Sequence, residues 1–427
     1  MKRFLIALFS IVCLLGLVAI LSATVFKEEL TEWAIKQKMK KYEQLKMYYV
    51  AEIPVEPENF AEDFKSIHEQ VLEECSLYKQ KGINMDSLYT TFAKRIGNEV
   101  QTKADYGLLV CEYIAALNIG HANAHLDVYW SMYSPTIVEG RLFIDTPNEY
   151  MTNYGFLDKD EIIAINNIPI KQYIDSRKKY TNASTEDARM HLTLRWALRS
   201  HTDSLIVCDV LRGSDTLKLD LPLTKDFPTG NKDELVAKGK VLNDSVGYIS
   251  VESMMGNAVE DFIQAYQQVC ELPYLIIDIR NNGGGNSIDG RLIAEYLVRN
   301  PQQHCLGGDI VPQSNSYKGK LFLLTSNFTF SAAESFAIDM KESGNATLVG
   351  ETTAGDTGNG PDFFMSKYGI YFRVPTRKPH VSPQGFPLEG IGITPHHKVV
   401  QTVEDFFDNK DTVIEYVLNE LINNKRQ

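Results

Sequence analysis

The sequence predicts an α/β protein. Its core is a mostly parallel sheet, preceded by a small β domain, a helical region and a single membrane-spanning helix. Three observations carry this. From Val241 onward, short apolar runs alternate with amphipathic stretches, the pattern of βαβ units. Between residues 134 and 225, strand-like runs are separated by turn residues instead. And Phe4 to Phe26 form 23 consecutive positions without a charge.

Residues 1–47 read as anchor and stalk. Lys2 and Arg3 precede the uncharged run, and Lys27-Glu28-Glu29 follow it. A bilayer core about 30 Å thick is crossed by roughly 20 helical residues, so the run is long enough to span. The apolar part of a cleavable signal is shorter, about 7–15 residues, and Leu21-Ser22-Ala23 is a weak cleavage site. The expectation is an uncleaved signal-anchor that touches the membrane through residues 4–26. The short basic end then stays cytoplasmic and the remainder is exported, to a periplasm or another extracytoplasmic space. Secretion after cleavage is the alternative. Residues 27–47, with six Lys against four Glu, read as a polar helix.

Residues 48–133 are expected to be helical. Ile67, Val71, Leu72 and Cys75 share one helical face, and a second amphipathic stretch runs from Tyr106 to Leu117. The region ends at Ile119-Gly120-His121. In the 134–225 domain, strands are predicted at Arg141–Ile144, Glu161–Ile165, Leu205–Leu211 and Thr216–Leu221, punctuated by Asn166-Asn167 and Gly213-Ser214-Asp215. The stretch YGFLDKDEIIAINNIPI resembles the core of PDZ domains through Asp160, Ile163 and Asn166-Asn167, although Lys159 stands where Gly is usual. Such a module captures chain termini by adding a strand to a sheet edge. Residues 226–240 are polar and read as a linker.

The core is assigned to residues 238–427. Strands are expected at Val246–Val251, Tyr274–Ile279, Leu321–Thr325 and Thr347–Val349. Helices are expected at Asn257–Cys270, Leu292–Val298 and Ala332–Met340, the first with a capping box from Asn257 and Glu260. YLIIDI at 274–279 is apolar throughout, as in a strand covered on both faces.

Composition excludes several classes. Lys plus Arg number 43 and Asp plus Glu 55, a formal net charge of −12 over 427 residues, and no basic cluster offers a nucleic-acid face. Six cysteines are too few for a disulfide scaffold and show no zinc-like spacing. His396-His397 are adjacent, and adjacent residues of a strand point to opposite faces. No metal and no cofactor is expected. Oligomeric state leaves no signal in the sequence.

Two segments carry chemistry. Asp278-Ile279-Arg280-Asn281-Asn282-Gly283-Gly284-Gly285 follows a buried strand, and its glycines leave backbone N–H groups unshielded for an anion or oxyanion. It lacks the Gly-Lys-Ser/Thr of a phosphate loop. Ser331 opens a helix after another buried strand. A serine there is ordinarily an N-cap, but a nucleophile there gains the helix dipole and the free N–H of Ala332.

Taken in order, YLIIDIRNNGGG, TSNFTFSAAESFA, VGETTAGDTG and LEGIGITPHHKV resemble the C-terminal processing (tail-specific) serine peptidases over roughly residues 105–427. The resemblance implies a crotonase-like β/α superhelix, Ser331 as nucleophile, and an oxyanion hole from Gly283, Gly284 and Ala332. One branch of that family activates its serine with a lysine. Asp356 occupies that position here, and an acid cannot be the neutral amine base. The tricorn-like branch, which includes the interphotoreceptor retinoid-binding proteins, uses histidine and glutamate. His121 matches the first, with His125 as an alternative base, and Glu389 matches the second. Gly120 stands where that branch carries a helper serine, and His396 stands where the family has Asp. The implied activity is a serine endopeptidase acting on exported polypeptides through an acyl-enzyme, with a PDZ-like module holding a substrate terminus. The alternative is a non-proteolytic ligand- or partner-binding protein with a vestigial site; a crotonase-type acyl-CoA enzyme leaves the Ser-Ala-Ala-Glu motif unexplained.

Overall fold

The computed structural model describes residues 59–423, apart from 127, 226–233, 357–360, 368, 378–380 and 388. The uncharged run at 4–26, the stalk at 27–47 and Cys13 lie outside the described residues. Among the described residues, no helix is long and apolar enough to cross a membrane.

Three helices come first: α1 (Phe60–Glu74), α2 (Met85–Glu99) and α3 (Lys103–Ala115). Their starts are written in the sequence. Asn84 accepts from the Ser87 N–H, and Thr102 forms a reciprocal box with Asp105. Phe64, Ile67 and Val71 meet Phe92, Ile96, Val110 and Tyr113 in one core. The chain then turns through Asn118 (φ 52°) into β1 (Asn123–His125).

The next domain contains β2 (Thr136–Val138), β3 (Arg141–Phe143), β4 (Glu161–Ile165), α4 (Ile170–Arg177), α5 (Glu186–Arg195), β5 (Leu205–Arg212) and β6 (Asp215–Pro222). Its sheet runs β2-β3-β4-β5-β6, antiparallel throughout. The predicted strands lie within a residue or so of these bounds. Helices α4 and α5 were not expected, because their apolar stripes are thin. In α5 only Ala188, Leu192 and Leu194 are buried apolar side chains.

The linker expected at 226–240 needs correction. From Ala237 the chain is already β7 (Ala237–Asn243), paired antiparallel with β8 (Val246–Val251). It is an outer strand, and exposed Lys238 and Lys240 give it the polar look of a linker. The core continues with α6 (Ala258–Val269), β9 (Tyr274–Asp278), α7 (Ser287–Glu295), β10 (Lys320–Thr325), α8 (Ala332–Glu342), β11 (Ala346–Gly350), β12 (Pro361–Met365), β13 (Tyr371–Pro375) and β14 (His397–Lys398). The central sheet runs β7-β8-β9-β10-β11-β14, parallel from β8 onward. Phe262, Tyr266, Ile293 and Phe336 cover one face; Val413, Val417 and Leu421 cover the other. The capping box expected from Asn257 is not formed: its ψ of 29° turns the side chain away from the helix N–H groups.

The hairpin β12–β13 was also unexpected. β13 pairs with β1, Asn123 opposite Arg373 and His125 opposite Tyr371, so the N-terminal region is strapped to the far end of the chain. Parallel strands place their C-terminal ends along one edge of a sheet. There β9 runs into the glycine loop, β10 into α8, and β11 into residues 351–356.

Candidate active site

Ser331 sits at the turn between β10 and α8 with φ 57° and ψ −119°. A positive φ on a residue with a Cβ costs of order 1–3 kcal/mol and is held only where surroundings enforce it. The hydroxyl does not cap its own helix. It meets His121 Nε2 at 3.0 Å. His121 follows the turn after α3, is fixed by β1 two residues later, and packs its ring on Phe330 at 4.6 Å. Of the two candidate bases, His121 is the one at Ser331; His125 stacks on Tyr371 at 5.0 Å. Burial pushes the His121 imidazole down to about 4, the buried charge of Asp356 opposing and Arg373 adding to the fall. It is therefore neutral at pH 7, as a general base must be.

Asn282 welds the glycine loop in place. Its side chain donates to Val251 O (3.0 Å) and accepts from Gly284 N (2.8 Å), and its carbonyl accepts from Phe330 N (3.1 Å). Gly284, at φ 93°, lies against the nucleophile: a Cβ there falls 2.7 Å from Ser331 Cβ. Its N–H is spent on Asn282, so Gly284 is a spacer in this state rather than the expected donor. The N–H groups of Gly283 and of Ala332, the first residue of α8, are left for an oxyanion.

Glu389 does not touch His121. Its Oε1 lies 2.6 Å from Ser184 Oγ and 3.3 Å from Lys81 Nζ. Ser184 Oγ is also 2.5 Å from Asp356 Oδ1, which accepts the Gly120 N–H at 2.7 Å. One hydroxyl proton cannot serve two carboxylates, so the second short contact needs a proton on the other acid. Burial, and then the charge of Asp356, raise the Glu389 carboxyl, which makes Glu389 the better holder of that proton. Glu389, matched by resemblance to the branch's glutamate, instead begins a chain, Glu389–Ser184–Asp356, that ends on the backbone beside His121. Among the described residues His121 Nδ1 has no hydrogen-bond partner.

Glu334 ties this chain to the nucleophile. It is fully buried and accepts from Thr353 Oγ1 (2.5 Å), Gly355 N (2.7 Å), Asp356 N (2.8 Å) and Ser331 N (3.3 Å). Burial pushes its carboxyl up to about 7, against donors that favour the charged form. Sequence reasoning missed the roles of Glu334, Asp356 and Ser184. Glu334 lay inside the quoted serine motif and Asp356 was noticed only as a departure from lysine. Ser184, in a polar stretch before α5, left no signal.

The two other departures find local reasons. A Cβ on Gly120 would lie 2.0 Å from Asp356 Oδ2, so no serine fits there, and Ser184 brings a hydroxyl from another segment. Gly120→Ala is expected to lose activity and to cost ~1–3 kcal/mol of stability, read by thermal melting. Gly97→Ala, exposed on α2 with nothing within 4 Å of its Cβ, should be neutral or stabilising. His396 exchanges hydrogen bonds with Leu348, accepting its N–H on Nδ1 (2.9 Å), and His397 Nδ1 meets Tyr416 Oη at 3.1 Å. The two point to different partners. A further buried trio, His304, Cys305 and Asp339, has the spacing of metal ligands. Asp339 already spends its oxygens on His304 Nδ1 (2.5 Å) and Cys305 N (2.8 Å), which makes the trio a closed hydrogen-bonded knot. Cys75, Cys111, Cys208, Cys270 and Cys305 are free thiols.

A cleft of about 670 Å³ opens beside the site, between β2 and the ends of β9 and β10, reaching Asn281 and Ser326. A strained serine, a neutral histidine on its hydroxyl and unspent N–H groups together make an acyl-transfer site.

Comparison with known proteins follows the same lines. Residues 245–399 match the model of peptidase family S41, and residues 137–223 match one described as the N-terminal domain of Bacteroidetes S41 peptidases. The chain is 25% identical over 198 residues to tricorn protease of Thermoplasma acidophilum, covering 43% of this chain and 17% of that protein. It is 28% identical over 130 residues to the carboxy-terminal processing protease CtpB of Bacillus subtilis, covering 27% of this chain and 26% of that one. The chain thus spans about a quarter or less of the length of these two relatives. Among solved structures, mature CPAF complexed with lactacystin shares the fold at a TM-score of 0.69, with 14% identity, over 86% of this chain and 99% of that one.

Proposed function

Since the chain belongs to peptidase family S41, we propose that it is a serine endopeptidase that cleaves polypeptides through an acyl-enzyme on Ser331. One observation carries the reading: His121 Nε2 at 3.0 Å from the hydroxyl of a serine held at positive φ. His121 takes the Ser331 proton as the oxygen attacks the peptide carbonyl. The resulting oxyanion is received by the N–H groups of Gly283 and Ala332, and His121 returns the proton to the leaving amine. Asp356, which accepts the N–H of the neighbouring Gly120, favours the imidazolium formed in between. Glu389 acts on this arrangement through Ser184 rather than by contact.

The domain from Thr136 to Pro222 is read as PDZ-like. Its outer strand β2 lines the 670 Å³ cleft, and a substrate terminus adding to that edge is led toward Ser331. The core is read as the crotonase-like superhelix of the family. Residues 4–26 are read as a signal-anchor that exports the catalytic part.

A fluorophosphonate probe tests the nucleophile. The full chain is expected to be labelled on Ser331, seen by mass spectrometry, and Ser331→Ala is expected to take no label. Absence of labelling, or equal labelling of the variant, sinks the peptidase reading and leaves a binding protein with a vestigial site.

A further inference from the structure

Beside the catalytic turn lies a second feature that the mechanism does not use. Arg195 ends α5, and Arg199 stands opposite Trp130 in a short strand pairing. Both line a pocket of about 350 Å³ with Trp130, Tyr133, Trp196 and Phe328. The Arg199 guanidinium lies over the rings of Trp130 (3.9 Å) and Trp196 (4.6 Å), and that of Arg195 over Phe328 (4.1 Å). Among the described residues neither guanidinium makes a hydrogen bond or an ion pair; Glu252, the acid whose field Arg195 feels, is too far away to pair.

A half-buried cation without a counter-ion still loses solvation, and here two are close enough to repel. Burial, and then the charge of Arg195, pushes Arg199 down to about 9. The aromatic rings offset part of that cost, but only through the guanidinium faces. The N–H donors lie at the guanidinium edges, and contact with the rings holds the guanidinium centres without using those donors. That is the geometry for bidentate capture of a carboxylate.

The pocket is coupled to the catalytic site through one side chain. Phe328 lies three residues before Ser331, and a Cβ on Gly283 would fall 3.3 Å from its Cζ. Its ring therefore separates Arg195 from the oxyanion loop. Arg195 also lines the larger cleft, so a chain lying in that cleft passes its guanidinium.

We propose that the Arg195/Arg199 pocket is a substrate subsite that receives a carboxylate of the polypeptide near the cleaved bond. The carboxylate is that of an Asp or Glu side chain. This rests on the peptidase reading for the identity of the occupant, and the test separates the two.

Short labelled peptides are titrated onto the full chain carrying Ser331→Ala, which holds substrate without hydrolysis, and binding is read by fluorescence anisotropy. The peptides differ only in Glu against Gln at successive positions, and in a free against an amidated C-terminus. Carboxylate-bearing peptides are expected to bind about 10–100-fold more tightly than their neutral partners. Arg195→Gln and Arg199→Gln should each reduce that ratio toward one, with affinity for neutral peptides unchanged, and Arg195→Lys should restore part of it. A ratio that follows Glu supports the proposal; one that follows only the free C-terminus and is lost on amidation overturns it. Equal binding of charged and neutral peptides, or a preference that survives both substitutions, overturns the proposal. Fluorophosphonate labelling of the same Arg variants with Ser331 intact reads the nucleophile independently, so a failed subsite and a failed peptidase give different results.

Discussion

Replacing His121 by Gln is expected to lower kcat by roughly 10⁴-fold or more, with KM nearly unchanged. Gln fills the space but cannot take the Ser331 proton, so binding survives and chemistry does not. The pH dependence of the unaltered chain carries the same information. A general base works in its neutral form, and burial pushes His121 down to about 4. The limb of the profile due to His121 should therefore lie near 4, apart from any step near 7 from Glu334, which Glu334→Gln removes. An unperturbed histidine would instead place the midpoint near 6.5. A kcat/KM profile whose acid limb stays near 6.5 in Glu334→Gln would contradict the buried, uncharged setting of His121, and undiminished turnover by His121→Gln would remove it from the mechanism.

The second large effect is on stability. Glu334→Ala is expected to cost about 3–5 kcal/mol. The carboxylate is the acceptor for Thr353 Oγ1, Gly355 N and Asp356 N as well as Ser331 N. Truncation strands these donors in a site without water access, and each stranded donor costs about 1–3 kcal/mol. Urea unfolding should show a lower midpoint at unchanged slope. Glu334→Gln should fall between, because the amide oxygen replaces one acceptor while its NH₂ faces donors. A variant with the unaltered midpoint would mean that the 353–356 loop is held by something else.

How much of this was written in the sequence follows physical lines. Buried parallel strands were legible because YLIIDI and LFLLT are apolar on both faces, and their ends told where the glycine loop and Ser331 would stand. Helix α5 was not, because its buried face is a few small residues. Strand β7 was not, because an outer strand alternates lysines with small residues and looks like a linker. The pairing of His121 with Ser331 rested on a resemblance, since nothing local in the sequence joins residues 210 positions apart. Hydrogen-bond chains through single side chains are the least legible of all. Ser184 has no periodic or motif signal, yet it decides how Glu389 communicates with the site. Asp356 was legible only as a departure from the lysine branch, and in the fold it is a buried support.

The pairing of β1 with β13 has a consequence for timing. A chain made from its N-terminus carries His121 long before Ser331, and both before the hairpin partner at 371–375 and the acid at 389. Until those last segments have emerged and folded back, nothing aligns the base with the nucleophile. The site therefore closes only after the chain has been made past residue 389. A chain cut before the hairpin at 371–375 is expected to stay inert even with Ser331 and His121 both present.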